Sequence, residues 1–229
     1  MLRNYTATLA ALLLSTSLAT AKELQSVGVI VGSLGNPFFV TLGKGAEAAT
    51  RKINPSAKVT VVASDYDLAK QSNQMDSFVS AGVDLILLDA VDPNAVAPAV
   101  KRAQAAGIVV VGVDEAATGE DATVMTDNVK AGAEACHVIA TRLGGKGNVV
   151  IVNGPQVSSV VARVKGCKET LAKSPKIALL SDEQDAKGSR DGGLNVMQAL
   201  LTRFPEINAV FAINDPSAIG SSLALRQLG

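Results

Sequence analysis

The chain has 229 residues, a length that predicts one or two domains. Its 21 basic and 21 acidic residues balance, and they form no block of like charge, so the sequence gives no footprint for nucleic acid and no polybasic segment for a membrane surface. Hydrophobic residues make up 48% of the chain, with five Phe, two Tyr and no Trp. Its cores must therefore consist of Val, Ile, Leu and Ala, as is typical of buried parallel sheets.

The first 21 residues have the three parts of a secretory signal peptide. Arg3 is followed by an apolar run over residues 9–18 and by the A-x-A site at residues 19–21. The run is shorter than the ~20 residues of a membrane-spanning helix, and no later stretch is long and apolar enough to span a membrane. We expect cleavage before Lys22 and a periplasmic protein without membrane insertion; an ordinary N-terminal helix is the alternative.

The stretch VGVIVGSLGNPFF, residues 27–39, predicts a first strand, a loop and the start of a helix. Asn36 is a favoured N-cap residue. Pro37 suits the first helical position, because a backbone N–H at that position would have no intrahelical acceptor. Ligands of open parallel sheets collect at the carboxyl ends of the strands. The stretch therefore places Asn36, Phe38 and Phe39 where a small molecule would bind.

Short apolar runs rich in β-branched residues recur along the chain and predict buried strands. They alternate with helical patterns at intervals near the ~30 residues of a βαβ unit, which predicts a doubly wound α/β fold with parallel sheets. Helix starts are predicted at Asn36-Pro37, Asp92-Pro93 and Asp215-Pro216. The predicted strands are 27–31, 58–63, 85–88, 108–113, 148–152, 177–180 and 209–213.

One long gap interrupts this alternation, between residues 113 and 148. Residues 114–125 look irregular, and Asp127-Asn128 then caps a further helix. We place a boundary there, which gives an N-terminal lobe over 22–125 and a C-terminal lobe over 126–229. The second lobe has three predicted strands against four, and its last helical pattern is followed by no strand, so we expect it to be incomplete.

The residues that carry chemistry elsewhere are sparse here. Cys136 and Cys167 could form a disulfide in an oxidising compartment or pack as buried thiols, and the sequence leaves both possibilities open. His137 has no companion metal ligands. Hydrolase, Walker and H-E-x-x-H motifs are absent, and Gly32-x-x-Gly35 is not a dinucleotide fingerprint. We therefore expect no enzyme, no metal and no cofactor.

Several segments together resemble type I periplasmic substrate-binding proteins of the ribose-binding kind. They are GNPFF at 35–39, DPNAVAPAVKRAQAAGI at 92–108, GVD at 112–114, TDN at 126–128 and GLNVMQALLTRFPEINAVFAIND at 193–215. The resemblance implies two Rossmann-like lobes, joined by a hinge, that close on a sugar or related polar solute. It further implies a monomer that delivers the solute to the permease of an ABC importer in the inner membrane.

The resemblance also implies a set of ligand-binding residues. In the first lobe Asn36, Phe38, Phe39, Asp89 and Asp114 match ligand positions, and in the second lobe Arg163 and Asn214 do so. The chain departs from the ribose-binding pattern at three positions: Glu115 replaces an arginine, Gly188 a stacking phenylalanine and Asp89 an asparagine. These departures argue against ribose itself as the ligand.

Simpler structural roles compete with these assignments. One of the two phenylalanines should lie in the core, and Asp89 and Asp114 could only cap strand ends. Glu115 could be a solvated loop acid or a ligand residue, and Arg163 could pair with Glu169. We expect Asp215 to cap the last helix, which would leave Asn214 for the ligand.

A pocket with these residues suits a polyhydroxylated solute. Carboxylates accept hydrogen bonds from hydroxyls, a guanidinium donates in a planar fork, and an aromatic ring covers an apolar ring face. Because Asp89, Asp114 and Glu115 outnumber Arg163, repulsion should disfavour phosphorylated or carboxylated ligands. A neutral sugar, a polyol or a cationic solute is favoured.

Three other functions are alternatives to solute import. The sensor core of a lactose-repressor-type regulator shares the implied fold, but it would need a helix-turn-helix where the signal peptide lies. A chemoreceptor-facing binding protein would have the same ligand site. A nonfunctional truncated remnant is the third alternative.

Overall fold

The computed structural model describes residues 23–228, in which strands and helices alternate. The predicted signal peptide, residues 1–21, lies outside the described residues. The strands are β1 Ser26–Val31, β2 Lys58–Ala63, β3 Leu85–Leu88, β4 Val109–Val113, β5 Ala122–Val124, β6 Lys146–Val152, β7 Lys176–Ser181 and β8 Ala209–Ala212. The helices are α1 Pro37–Ile53, α2 Leu68–Ala81, α3 Ala97–Ala105, α4 Asn128–Arg142, α5 Ser158–Leu171, α6 Arg190–Arg203 and α7 Asp215–Leu228.

The first lobe contains a five-stranded sheet in the order β2-β1-β3-β4-β5, and all its neighbouring strands are parallel. One face packs against α2 and α3 through a cluster that includes Ile30, Met75 and Val100. The opposite face packs against α1 through a second cluster that includes Val29 and Phe39. Aliphatic side chains dominate both faces, as the composition predicts.

The second lobe contains a three-stranded parallel sheet in the order β7-β6-β8. Its β6 strand alternates between two cores: Val149 and Ile151 face the α4–α5 pair, and Val150 and Val152 face the α6–α7 pair. The doubly wound α/β fold with two lobes, the second with a small sheet, is confirmed. Each of the seven predicted strands is present within two residues of its predicted bounds.

Three local predictions are wrong. The stretch 114–125 is not wholly irregular, because Ala122–Val124 pairs with β4 as an exposed edge strand. The third helix does not begin at Pro93: the Asp92 carboxylate instead accepts N–H bonds within a preceding turn, and the helix starts at Ala97. The last helix is capped one residue earlier than predicted, since Asn214 Oδ1 accepts the Ser217 N–H at 3.0 Å.

A disulfide between Cys136 and Cys167 joins α4 to α5, with their Cα atoms 5.0 Å apart. The helices approach closely beside it, because a Cβ at Gly132 would lie 1.9 Å from the Arg163 carbonyl oxygen. A Cβ at Gly166 would lie equally close, 1.9 Å, to the Val129 carbonyl oxygen. Two glycines and a disulfide thus fix the distance between these helices.

Candidate functional site

A cleft of about 400 Å³ lies where the two lobes meet. The first lobe lines it with residues that follow β1, β2 and β4, and the second lobe lines it with α4, α5 and the β8–α7 turn. Carboxyl ends of parallel strands and N-termini of helices therefore converge on it, as in other open α/β folds. Seven of the eight predicted ligand residues line this cleft; they are Asn36, Phe38, Phe39, Asp114, Glu115, Arg163 and Asn214.

The start of α1 supplies one polar and two aromatic side chains to the first-lobe lining of the cleft. Asn36 caps the helix by accepting the Phe38 N–H at 3.0 Å, which leaves its amide NH₂ available. The Phe38 side chain is 51% exposed, whereas Phe39 is 4% exposed and belongs to the β1–α1 core. The two rings pack edge to face, with their centroids 5.2 Å apart. Phe38 thus presents its aromatic ring to the cleft, and Phe39 packs against that ring from the core.

Three carboxylates gather at the base of the cleft. Asp89, Asp114 and Glu115 each present an oxygen within 4.8 Å of the others. Asp89, which does not line the cleft, is 3% exposed and accepts the Gly32 N–H at 2.6 Å. Oxygens at this spacing could hold hydroxyl donors, an ammonium group or a metal ion.

Glu115 is neither solvated nor free. It is 2% exposed, and its carboxylate accepts the Ser159 N–H at 2.8 Å and the Ser158 hydroxyl. A first-lobe acid therefore caps the N-terminus of α5 in the second lobe, where its charge suits the helix dipole. The solvated-loop reading of Glu115 is wrong, and the contact ties the two lobes together.

The surroundings of the three acids raise the pKa of each. Burial raises the pKa of Asp89 well above its ordinary value, and the neighbouring charges of Asp114 and Glu115 raise it further, against the opposing Gly32 N–H. Burial likewise raises the pKa of Asp114, although Arg163 opposes the shift. The pKa of Glu115 is raised by burial in spite of its hydrogen bonds to Ser158 and Ser159.

Arg163 enters the cleft from α5 in a fixed orientation. Its Nε donates to Asn128 Oδ1 at 2.9 Å, and its Nη1 donates to the Ile213 carbonyl at 3.0 Å. The predicted alternative, a pair with Glu169, is not formed, since Glu169 lies near Lys165 instead. Two of the five guanidinium N–H donors are thus occupied, and the others remain for a ligand.

Asn214 has less freedom than its sequence position predicts. Its Oδ1 caps α7, and its Nδ2 donates to the Gly188 carbonyl at 3.0 Å. It lines the cleft and holds two protein partners, so it also shapes the β8–α7 turn.

Among the cleft residues that the sequence did not predict is a tyrosine, Tyr66. Burial, followed by the carboxylates of Asp89, Asp114 and Glu115, raises its pKa well above the ordinary value for tyrosine. The loop between β2 and α2 carries no motif that distinguishes this tyrosine from a surface residue. Only its place after a strand end was a signal.

The fold and cleft define a two-lobed α/β binding protein with its ligand site between the lobes. The family model of the periplasmic binding protein domain matches residues 27–229, and the chain belongs to this family. Among the described residues, no helix is long and apolar enough to cross a membrane.

Several named proteins are similar to this chain. The ribose import binding protein of Bacillus subtilis is 36% identical, over 91% of this chain and 68% of that protein. The xylitol-binding protein of Mycolicibacterium smegmatis is 34% identical, over 92% of this chain and 60% of that protein. A solute-binding protein of an ABC transporter from Burkholderia graminis, in complex with D-arabinose, superposes with a TM-score of 0.83.

The Burkholderia protein is 26% identical, and the match covers 90% of this chain and 72% of that one. The chain therefore spans 60% to 72% of the length of these three proteins. All three are binding proteins rather than enzymes, which supports the expectation that this chain is not an enzyme. They also favour solute binding over the regulator alternative.

Proposed function

We propose that this protein captures a sugar or polyol between its lobes in the periplasm and delivers it to an ABC importer. The observation that carries this function is the cleft itself. The exposed ring of Phe38 lines it, together with the carboxylates of Asp114 and Glu115 and the Arg163 guanidinium. A sugar has an apolar ring face and hydroxyls that both donate and accept, and this arrangement complements both features.

The binding mechanism we propose is closure of the lobes on the ligand. Asn36, Phe38 and Asp114 would contact it from the first lobe, and Arg163 and Asn214 from the second. A ligand that contacts both lobes favours the closed state by the difference between its affinities for the closed and open states. We propose the lobe boundary at residues 125–126, between β5 and α4.

Charge narrows the ligand class. Asp114 and Glu115 line the cleft, Asp89 lies within 4.8 Å of both, and Arg163 faces them as the cation of the site. A phosphate or carboxylate on the ligand would meet this acidic group in a partly desolvated space, where Coulomb repulsion is stronger than in water. Neutral sugars and polyols are therefore favoured over their phosphorylated derivatives.

The remaining steps follow from the same function. We propose that residues 1–21 direct export and are removed before Lys22, and that a monomer presents its ligand-closed lobes to the permease. The relatives include an import binding protein and a solute-binding protein of an ABC transporter, which supports this partner.

A thermal-shift screen tests the function. Purified protein is heated with D-ribose, D-arabinose, xylitol or D-ribose 5-phosphate, since a ligand that binds only the folded state stabilises it by about 2.7 kcal/mol at a hundred times its Kd. We expect at least one neutral compound to raise the melting temperature and the phosphate to have no effect. A panel extended to other neutral monosaccharides and polyols without a single shift would contradict the proposed function.

A further inference from the structure

Tyr66 belongs to the first lobe but packs against both. Its half-buried side chain contacts the β1–α1 core beside Val31 and Phe39, and it also contacts the second-lobe core beside Val157 and Ile213. The loop between β2 and α2 therefore sends one aromatic ring across the space between the lobes. Its hydroxyl makes no hydrogen bond within the described residues, although three carboxylates act on it electrostatically.

The backbone at Tyr66 adopts an unusual conformation that directs the ring toward the second lobe. Tyr66 has φ 59° and Asp65 has φ 54°, so two consecutive side-chain-bearing residues adopt the left-handed conformation. That conformation is costly for residues other than glycine and persists only where the surrounding structure imposes it. A Cβ at Gly32 would lie 2.7 Å from the Tyr66 ring, so glycine is needed there to admit the ring.

In the second lobe, Gly188 leaves space for the end of the Tyr66 side chain. Gly188 has φ 60°, and a Cβ placed there would lie 3.6 Å from the Tyr66 hydroxyl oxygen and 3.6 Å from Pro155 Cδ. The tip of Tyr66 thus reaches the turn before α6. A larger residue at 188 would compete with the tyrosine for this position.

Tyr66 also lines two cavities. It lines the ligand cleft of about 400 Å³ and a second cavity of about 360 Å³, whose other lining residues are Ser33, Asp65, Pro155, Asp185 and Lys187. Among residues 23–228, no other residue lines both of these cavities. The ring is therefore a partition between the ligand cleft and a polar cavity on the far side of it.

We propose that Tyr66 is a specificity-determining residue: it forms the end wall of the ligand cleft and limits the ligand to a single sugar ring or a polyol of that size. This rests on the proposed function, because it assumes that the cleft holds a sugar or polyol. The ring excludes a second sugar unit from the neighbouring cavity, and the free hydroxyl is placed to bond a ligand hydroxyl. Truncation to alanine would join the two cavities.

The test compares Tyr66→Phe, Tyr66→Leu and Tyr66→Ala in a full-chain Tyr5→Phe background. The probes are D-ribose, D-arabinose, xylitol and the disaccharides sucrose and maltose, with affinities measured by calorimetry. We expect Tyr66→Ala to lower the preference for the bound monosaccharide or polyol over the disaccharides by at least about tenfold. Tyr66→Leu should have an intermediate effect. Tyr66→Phe should keep the size limit but bind the small ligand more weakly.

Phe78→Leu is the matched control. Phe78 is a buried aromatic residue of the first lobe that packs in the α2–α3 core away from the cleft. This variant should lower the melting temperature without changing the preference between small and large sugars. If Tyr66→Ala does not fold, Tyr66→Leu and Tyr66→Phe still test the size limit and the hydroxyl contact.

Ultraviolet difference spectra give an independent readout. The chain has two tyrosines and no tryptophan, so in the Tyr5→Phe background Tyr66 alone absorbs as a tyrosine. Binding of a small ligand should perturb its band near 280 nm. A compound that binds without this perturbation, together with unchanged size preference in the variants, would overturn the role of Tyr66 and leave the proposed function intact. A panel with no binding compound would overturn both.

Discussion

At the scale of single residues, the cleft is arranged before any ligand enters. The Arg163 side chain is held by Asn128 Oδ1 on α4 and by the Ile213 carbonyl at the end of β8. Asn128 is itself oriented by donating to the Thr126 carbonyl at 3.1 Å. Because the guanidinium is already oriented, binding loses less side-chain entropy, and this benefits affinity.

Asp114→Ala and Arg163→Ala should each weaken the ligand found in the thermal-shift screen. We expect losses of about 2 kcal/mol or more, since each change leaves a polar group of the bound ligand unpaired in a desolvated space. Isothermal calorimetry measures the effect. Arg51→Ala on α1 is the control, because Arg51 is exposed, lies outside the cleft lining and pairs with Glu47 one helical turn away. Wild-type affinity in both cleft variants would contradict the site.

The sequence located some of these residues better than others. Asn36 was predictable because an Asn-Pro pair marks a helix start. The sequence did not decide which of Phe38 and Phe39 lies in the core. Glu115 was ambiguous, since its partners are 43 and 44 residues away in the other lobe. Tyr66 was missed because its position depends on two left-handed residues and on the absence of a side chain at Gly32. Local patterns do not encode such long-range contacts.

At the scale of elements, the spacing of the pair α4–α5 is tightly constrained. Gly132 and Gly166 allow the backbones to touch, the disulfide closes the pair, and Arg163 lies on the contacting turn of α5. Helix spacing and ligand geometry are therefore linked. A change that separates these helices should also displace the guanidinium.

Gly132→Ala should destabilise the protein. Its added methyl group would lie 1.9 Å from the Arg163 carbonyl oxygen, so the helices must move apart, and overpacking of this kind costs about 1–3 kcal/mol. Urea unfolding with the disulfide intact measures the loss. Gly45→Ala is the matched control, because the same change in α1 meets no atom within 4 Å. It should stabilise the protein by about 0.5–1 kcal/mol through helix propensity alone. Equal effects at both positions would contradict the packing argument.

Elements with strong apolar periodicity were predictable, and those without it were not. The strands of both lobe centres are continuous β-branched runs, which local sequence identifies. The β5 strand has three exposed residues and exists because β4 offers it an edge. The start of α3 was misplaced because Asp92-Pro93 also suits a turn.

At the scale of the whole molecule, a cluster of three carboxyl groups lies where the two lobes meet. Asp89, Asp114 and Glu115 come from the first lobe, and the facing cation, Arg163, comes from the second. In the folded protein these carboxyls are removed from water, and burial is the largest cause of the rise in pKa of all three. Stability should therefore depend on pH through these groups.

The sign of this dependence is opposite to that of a salt-bridged acid. A carboxyl whose folded-state pKa is raised binds its proton more tightly in the folded protein than in the unfolded chain. Its stabilising contribution is complete below the unfolded-state pKa and is lost as the pH rises through the raised folded-state pKa. For Asp89, Asp114 and Glu115 the window begins near the ordinary carboxyl range and extends upward from there.

We therefore expect the ligand-free protein to melt at a higher temperature at pH 5 than at pH 8, measured by calorimetry at constant ionic strength. Asp89→Asn should raise the melting temperature at pH 8 and flatten the profile, because the amide oxygen still accepts the Gly32 N–H without a buried charge. Glu134→Gln, which removes an exposed carboxyl on α4, should leave the slope unchanged. A steep profile that persists in Asp89→Asn would show that burial of this acid does not control stability.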